Sequence, residues 1–135
     1  MADNLKQKVF NIIKQRNLCS YMNNTKWEEL RNSMYNDMPF PPPYDIKYID
    51  IDHSTGDNIN KDIYYYGDWY ETFLLYGYVS IEWIKIKPVI LKHRGCLIPP
   101  EVIDETEELI NVLEKYNIPY TKENNIFTVY GYRKS

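Results

Sequence analysis

The sequence predicts a single α+β domain in which about three helices pack on one face of a mostly antiparallel sheet of four or more strands, with a C-terminal β-hairpin. The predicted order is helix, helix, strand, tyrosine-rich segment, strand, helix and hairpin. Long connections between the strands and a hairpin at the end favour this class. A length of 135 residues fits one domain, and no repeat or linker divides residues 1–135.

The composition is that of a folded domain without a preference for nucleic acid. Aromatic residues make up 16% of the chain, with 14 Tyr and 3 Trp, which is enough apolar surface to drive collapse. The 16 basic residues are outnumbered by 19 acidic ones, whereas a nucleic-acid-binding domain needs a basic face. No apolar run reaches the ~18 residues of a membrane span, and no signal peptide is recognised. We therefore expect a cytoplasmic protein without nucleic-acid or membrane partners.

Metal and cofactor sites are not expected from the sequence. Cys19 and Cys96 lie far apart, and His53 and His93 are too few for a zinc site built on cysteine and histidine spacing. The acidic segment 50–57 resembles an EF-hand loop only superficially, because a lysine occupies the position of the bidentate glutamate. Both cysteines are expected to stay reduced.

Two helices are predicted before the first strand. Apolar residues at helical spacing, with Asp3 as N-cap, predict a first helix at residues 3–17, which we expect to be an addition to the domain. Thr25 and Glu28 fit the capping box of a second helix, in which both side chains bind free backbone N–H groups. The expected buried stripe of this helix consists of Trp27, Leu30, Met34 and Met38.

Two strands are predicted in the middle of the chain. Three prolines at 41–43 end the second helix, and a strand follows at about 44–52. Its alternating residues are Tyr44, Ile46 and Tyr48. A stronger strand spans 79–87, where the apolar residues change phase near Trp83, as they do in a strand buried on both faces or in one with a β-bulge. The segment 61–78 is compatible with strand, short helix or ordered loop.

The last third of the chain predicts a helix followed by a hairpin. Apolar residues at the spacing of one helical face run from Glu101 to Tyr116. Asn124 and Asn125 can both take the positive φ that a type I′ turn requires. The cross-strand pairs set by this turn are Glu123–Ile126, Lys122–Phe127, Thr121–Thr128 and Tyr120–Val129.

The third predicted helix is strongly acidic, with six acidic residues and one lysine. Such a surface is either a docking face for a basic partner, whose approach complementary charge accelerates, or an ordinary solvated face. If this surface is a docking face, the residues expected to contact the partner are Glu101, Asp104, Glu105 and Glu108.

The tyrosine-rich segment is a second candidate surface. Seven Tyr and Trp residues lie within 64–78, and not all of them can point inward from one small domain. They are suited to a partner or self-association surface, to ordinary packing, or to a ligand groove. The candidates for partner contact are Tyr65, Trp69 and Tyr70.

Catalytic residues are not predicted. The patterns GxSxG, HExxH and GxGxxG and the P-loop are all absent. A ligand pocket between the sheet and the tyrosine-rich segment would take its polar groups from Asp68, Glu82 and His93. Glu82 shares a strand face with Ile84 and Ile86, which predicts partial burial, with either a raised pKa or a structural ion pair. Enzymatic activity is therefore unsupported.

Five segments in combination resemble a family of small bacterial proteins of unknown function. The segments are TKWEEL at 25–30, PFPPPY at 39–44, GDW at 67–69, IEWIKI at 81–86 and IFTVYGY at 126–132. The resemblance spans about residues 22–132 and leaves the first helix outside. It implies a stand-alone cytoplasmic protein, related to proteins some of which are immunity proteins that neutralise a cognate toxin. The resemblance implies no catalytic residue in this chain.

Three functional hypotheses follow from the sequence. The favoured one is a non-enzymatic, immunity-like protein that binds a basic protein partner, such as a toxin, through the acidic helix and the tyrosine-rich segment. The first alternative is a small-molecule-binding protein or an enzyme with a pocket beside the tyrosine-rich segment. The second alternative is a self-associating module, in which exposed tyrosines or an edge hairpin pair two copies.

Overall fold

The computed structural model of the protein describes residues 2–54, 58–70 and 77–134. Within them lie three α-helices, one 3-10 helix and eight strands. The α-helices are α1 (Ala2–Arg16), α2 (Asn24–Asn36) and α3 (Thr106–Lys115), and the 3-10 helix spans Tyr78–Ser80. The strands are β1 (Leu18–Ser20), β2 (Tyr44–Tyr48), β3 (Ile81–Ile86), β4 (Val89–Lys92), β5 (Glu101–Asp104), β6 (Thr121–Glu123), β7 (Ile126–Tyr130) and β8 (Tyr132–Lys134).

Every strand pair in these ranges is antiparallel. The main sheet has the order β2-β3-β7-β6, while β1 pairs with β8 and β4 pairs with β5 in two smaller sheets. The predicted α+β class and C-terminal hairpin are confirmed. The two smaller sheets were not predicted, because each joins short segments that have no clear alternating pattern of their own.

The main core lies between the central sheet and helices α2 and α3. The predicted stripe of α2 is buried, and it packs with the buried residues of α3 in one apolar cluster. The helical members of this cluster are Trp27, Leu30, Met34, Leu109, Val112 and Leu113. On the sheet side, Tyr44, Ile46 and Tyr48 of β2 are all buried, as their alternation predicts. Burying each large apolar side chain contributes roughly 1.5–3 kcal/mol, so this cluster holds the fold together.

The phase change in β3 is caused by a β-bulge. Lys47 lies opposite Trp83 and Tyr48 lies opposite Ile81, so Glu82 is the additional residue on β3. The insertion lets Ile81 and Ile84 both reach the core although they are three positions apart. The sequence alternative with a bulge near Trp83 is therefore confirmed.

Gly131 links the main sheet to the β1–β8 pair. Its N–H donates to Glu82 O of β3 (2.8 Å), and its carbonyl oxygen accepts from Tyr21 N (2.9 Å). A Cβ atom at position 131 would collide with the backbone oxygen of Ile81. Only glycine allows β7 to continue into β8 at this close approach.

The C-terminal hairpin has the predicted turn. Asn124 and Asn125 have φ values of 52° and 64°, and the pairs start with Glu123 opposite Ile126 and end with Thr121 opposite Thr128. The Tyr120–Val129 pair is not formed, since β6 begins at Thr121.

The predicted helix starts are wrong by a few residues. Helix α2 begins at Asn24, and the Oδ1 of Asn23, rather than the side chain of Thr25, accepts from Lys26 N (2.8 Å). Helix α1 already includes Ala2, so Asp3 lies within it and is not its N-cap. Asparagine and threonine are both good N-caps, so the sequence alone did not separate these positions.

The third helix is shorter than predicted. Residues 101–104, expected in its first turn, form β5 instead, and α3 begins at Thr106. The adjacent β-branched residues Val102 and Ile103 pair with β4, a non-local contact that sequence periodicity does not reveal.

The beginning of the tyrosine-rich segment is irregular. Residues 61–70 contain neither helix nor strand. Of the three predicted alternatives, strand, short helix or ordered loop, this part of the segment is therefore an ordered loop. Residues 71–76 lie outside the described residues.

Candidate functional site

The hairpin formed by β4 and β5, here called the β4–β5 arm (residues 89–104), carries the candidate site. Ile90 and Ile103 lie directly opposite each other on its inner face. They pack into a second, smaller apolar cluster that contains Phe40, Ile59 and Ile63. The arm is thus anchored by its inner face, while its outer face and its tip are available to solvent.

Three large apolar residues of the arm are exposed. Leu97 and Ile98, in the connection between the strands, are 97% and 53% exposed, and Val102 on β5 is 63% exposed. Single exposed apolar residues are common, but several on one element are typical of an interaction surface. The available sequence signal was the Leu-Ile pair in a loop bounded by Gly95 and Pro99, and the sequence prediction missed it.

An acidic groove opens at the base of the arm, where β5 leads into α3 and the β6–β7 turn faces them. Its volume is about 510 Å³. The residues that line it are Asp104, Thr106, Glu107, Glu108, Ile110, Lys122 and Asn125. Three carboxylates face a single ammonium group, so the groove favours positively charged ligands.

Asp104 holds the start of α3 at the rim of this groove. Its Oδ1 accepts hydrogen bonds from the backbone N–H (2.8 Å) and the hydroxyl of Thr106. This contact fixes the carboxylate of Asp104 in position without neutralising its charge.

Glu105 differs from its acidic neighbours because it is buried, with only 1% of its surface exposed. Its Oε1 accepts from Phe40 N (3.3 Å), its own N–H donates to Pro88 O (2.8 Å), and its Oε2 has no partner within the described part of the chain. Burial raises the pKa of Glu105 to about 8, and the charges of Glu108 and Asp104 add to this against the hydrogen bond from Phe40. The expectation that Glu105 contacts a partner is therefore wrong.

The other acidic candidates are on the surface. Glu101 is exposed at the start of β5, opposite Lys92 of β4. Asp104 and Glu108 are exposed and share the groove, together with Glu107, which was not among the predicted contacts. The prediction placed these acids on one helix, whereas Glu101 and Asp104 lie on β5 and Glu107 and Glu108 lie on α3.

The aromatic candidates divide between surface and interior. Tyr65 and Tyr70 are exposed, and Tyr70 stacks on Tyr35 (ring centroids 4.4 Å apart). Trp69 is fully buried at 0% exposure, with its Nε1–H donating to Pro42 O (2.9 Å). The prediction that Trp69 contacts a partner is wrong, because its side chain is buried in the main core, where its ring packs against Tyr44.

The tyrosine-rich segment also borders the arm. Leu91 N of β4 donates to Ile63 O (2.7 Å), and the ring of Tyr64 stacks on His93 with centroids 4.5 Å apart. This places Tyr64 and Tyr65 next to the arm, whereas Tyr70 lies over α2 through its contact with Tyr35.

The alternative ligand-binding residues do not share one set of neighbours. The backbone oxygen of Asp68 accepts from the Tyr44 hydroxyl, His93 stacks on Tyr64, and Glu82 pairs with basic residues of α1 and β2. None of the three lines the acidic groove. They therefore give the pocket hypothesis no support.

The sequence predicted either a raised pKa or a structural ion pair for Glu82, and the structure shows the ion pair. Its carboxylate accepts two hydrogen bonds from Arg16 (3.1 and 3.2 Å) and one from Lys47 Nζ (2.7 Å). Burial alone would raise the pKa of Glu82, but the hydrogen bonds from Arg16 and Lys47 outweigh it and hold the pKa below its usual value. The pair joins α1 to the bulge of β3.

The substitution Glu82→Gln is expected to lower the free energy of unfolding at pH 7 by about 1–2 kcal/mol, because it leaves the partly buried Lys47 without its counter-charge. A depressed pKa in the folded state gives stability that is present at neutral pH and is lost as the pH falls through that pKa. The difference between wild type and variant should therefore shrink in acid. Urea unfolding at pH 7 and pH 3 measures this difference in the free energy of unfolding, with Glu114→Gln on the exposed side of α3 as control. A constant difference would contradict this assignment.

No cluster of three or more His, Cys, Asp or Glu residues suited to a metal ion occurs in the ranges that the structure describes. Cys19 and Cys96 are both exposed and unbridged.

Comparison with known protein families places the chain. The model of a family of unknown function (DUF6678) matches residues 9–135. The chain belongs to this family. The DUF6678 match includes residues 9–16 of α1, so the expectation that the first helix lies outside the family is wrong for that part of it. No curated protein and no solved structure matches the chain.

The helices of this DUF6678 member, as far as they are described, include none that is both long and apolar enough to cross a membrane.

Proposed function

We propose that the protein binds a basic protein partner through the β4–β5 arm and the acidic groove at its base, and that it acts in an immunity-like manner by covering a surface of that partner. The observation that carries this proposal is the combination of exposed Leu97, Ile98 and Val102 with three carboxylates at the base of the same arm. Apolar contacts bordered by charged groups are the usual composition of a protein interface.

The apolar part supplies the contact area. Leu97 is almost fully exposed and Val102 is more than half exposed, so a partner that covers them removes apolar surface from water. At roughly 25 cal/mol per Å² of apolar surface, such burial is favourable, but it does not select one partner over another.

The charged part supplies selectivity. Asp104, Glu107 and Glu108 face one lysine, Lys122, across the groove. Opposite charge on the partner increases the rate of encounter and fixes its orientation, and like charge is rejected. The surface residues retained from the sequence hypothesis are Glu101, Asp104, Glu108 and Tyr65, with Tyr70 at a separate position over α2.

Reversing the charge of the groove is expected to reduce partner capture by at least about tenfold, a change of about 1.4 kcal/mol. The double variant Asp104→Asn with Glu108→Lys removes two carboxylates and adds a lysine, while the asparagine side chain retains an oxygen for the Thr106 contact. The matched control is Glu114→Lys, an exposed position on α3 that does not line the groove. Tagged proteins are incubated with host lysate, and the captured proteins are quantified by mass spectrometry.

The expected partner is basic, is held by wild type and Glu114→Lys, and is lost from the groove variant. Its capture by wild type should also weaken as salt increases, because salt screens exposed charges. Equal capture by all three proteins, or a partner with an acidic surface, would remove the groove from the interface. Light scattering of the wild type at several concentrations tests self-association in parallel.

A further inference from the structure

The hydrogen-bond pattern of the β4–β5 arm determines which way the backbone of β5 faces. In an antiparallel pair, opposite residues alternate between exchanging hydrogen bonds and pointing their N–H and C=O groups outward. Leu91 N donates to Ile63 O, away from β5, and Glu105 N donates to Pro88 O, across the pair. Leu91 and its opposite residue Val102 are therefore a non-hydrogen-bonded pair, and the N–H and C=O of Val102 face away from β4.

Within the described ranges, the outer edge of β5 is open: the sheet there consists of β4 and β5, and no strand in those ranges pairs with the far side of β5. The side chains of Glu101, Val102 and Asp104 are all exposed. By the same alternation, Asp104 also directs its backbone groups to this edge, because it lies opposite Val89.

The edge is short and has defined ends. Pro100, which precedes β5, has no N–H to offer, and α3 begins at Thr106. An added strand would therefore bond mainly to Val102 and Asp104. These two side chains share the outer face, opposite to that of the anchored Ile103, so an apolar and a basic residue two positions apart on the added strand would meet them.

Charge decides between the possible occupants of this edge. Glu101 and Asp104 lie on the strand, and Glu107 and Glu108 follow in the adjoining groove. Pairing two copies of β5 would bring these carboxylates together, which is unfavourable. A basic strand instead places its lysine or arginine side chains beside them.

We propose that a basic protein partner binds by adding an extended segment to the edge of β5, as a third strand of the arm. This mode rests on the proposed function and specifies it. Main-chain bonds to Val102 and Asp104 provide the attachment, and an apolar residue on Val102 with basic residues near Asp104 and Glu108 provides the selectivity.

The probe for this mode is the terminally blocked peptide Lys-Thr-Val-Thr-Lys-Thr-Val-Thr, which presents lysine and valine alternately on one face. Its control contains glutamate at both lysine positions. Each is titrated into the full-length, 15N-labelled protein, and chemical shifts and amide exchange are followed by NMR. We expect saturable shifts at Val102 and Asp104 with the lysine peptide only. The exchange of the Val102 N–H should slow by about tenfold or more as it becomes hydrogen-bonded.

The variants Val102→Pro and Val102→Thr separate main-chain from side-chain effects. Proline removes an N–H that the β4–β5 ladder does not use, and a strand edge tolerates its fixed φ, so the arm should persist, whereas threonine keeps this donor. Val102→Pro, which loses the hydrogen bond, is expected to bind the peptide about tenfold more weakly than wild type, whereas Val102→Thr, which keeps it, should bind at most about twofold more weakly. Circular dichroism checks the fold of both, and the exchange measurement on wild type remains decisive if Val102→Pro does not fold.

Several results would overturn strand addition. Binding without slower exchange at Val102 would assign the peptide to the acidic groove, and the proposed function would stand without this mode. Absence of binding would overturn the mode, and the lysate experiment would still decide the proposed function separately. Protection of Val102 that depends on protein concentration, without peptide, would show that a second copy occupies the edge.

Discussion

Replacing Glu105 with glutamine is expected to prevent most of the loss of stability that the wild-type protein undergoes between about pH 5 and pH 8. Burial raises the pKa of Glu105 from 4.5 to about 8. Between these values the folded protein binds a proton that the unfolded chain releases, so the free energy of unfolding falls as the pH rises. The stabilising contribution is complete below the unfolded pKa and is lost as the pH passes through the folded one.

The expected loss is about 4 kcal/mol by pH 8, since each pKa unit corresponds to about 1.4 kcal/mol. Glutamine has the shape of the protonated acid and keeps an oxygen for Phe40 N, but it does not titrate. Urea unfolding of both proteins at intervals between pH 5 and pH 8 gives the comparison. Glu105→Gln should be the more stable protein at pH 8 and similar to wild type at pH 5.

The control is Glu114→Gln, which removes the same charge from an exposed position of α3. Its stability curve should run parallel to that of wild type. If the curve of Glu105→Gln also runs parallel to wild type, then Glu105 is ionised in the folded protein and its burial is relieved by solvent.

The substitution Trp69→Ala is expected to lower the free energy of unfolding by about 3–5 kcal/mol, as is usual when a buried tryptophan is truncated. The ring of Trp69 packs against Tyr44 with centroids 4.5 Å apart, and its Nε1–H satisfies the Pro42 carbonyl. Gly67 lies so close to Pro42 that a Cβ atom would collide with the same carbonyl oxygen. The neighbouring backbone therefore has little freedom to close the cavity.

Chemical denaturation measures this loss, with Tyr70→Ala as the comparison. Tyr70 is about half exposed and stacks on Tyr35, so its truncation should cost about 1 kcal/mol or less. A Trp69→Ala protein as stable as wild type but unable to bind the partner would return Trp69 to the interface, where the sequence hypothesis had placed it.

Local pattern was sufficient to predict much of the central sheet. The alternation of Tyr44, Ile46 and Tyr48 identified β2 and its buried face, and Asn124-Asn125 gave the turn and register of the hairpin. These features depend on neighbouring residues alone, through side-chain alternation and the positive φ of asparagine.

The β4–β5 arm was not predictable in the same way. Glu101 and Asp104 have the spacing of a helix's first turn, and the segment becomes a strand only by pairing with residues 89–92. The burial of Glu105 follows from that change, since the extended backbone of β5 directs position 105 toward Phe40 and Pro88. Charge alone selected Asp104, Glu105 and Glu108 alike and could not show that Glu105 is buried.

The β1–β8 pair has a mechanical consequence. Asn17 alone separates α1 from Leu18, and Leu18 lies opposite Lys134, so a load applied to α1 and to the C-terminal end of β8 reaches the same end of this two-stranded ladder. Antiparallel hydrogen bonds run perpendicular to the strands, and this load separates them one after another instead of shearing them together. Under tension the protein should thus unzip at β1–β8 first, at low force, while the bonds of the central sheet are still intact.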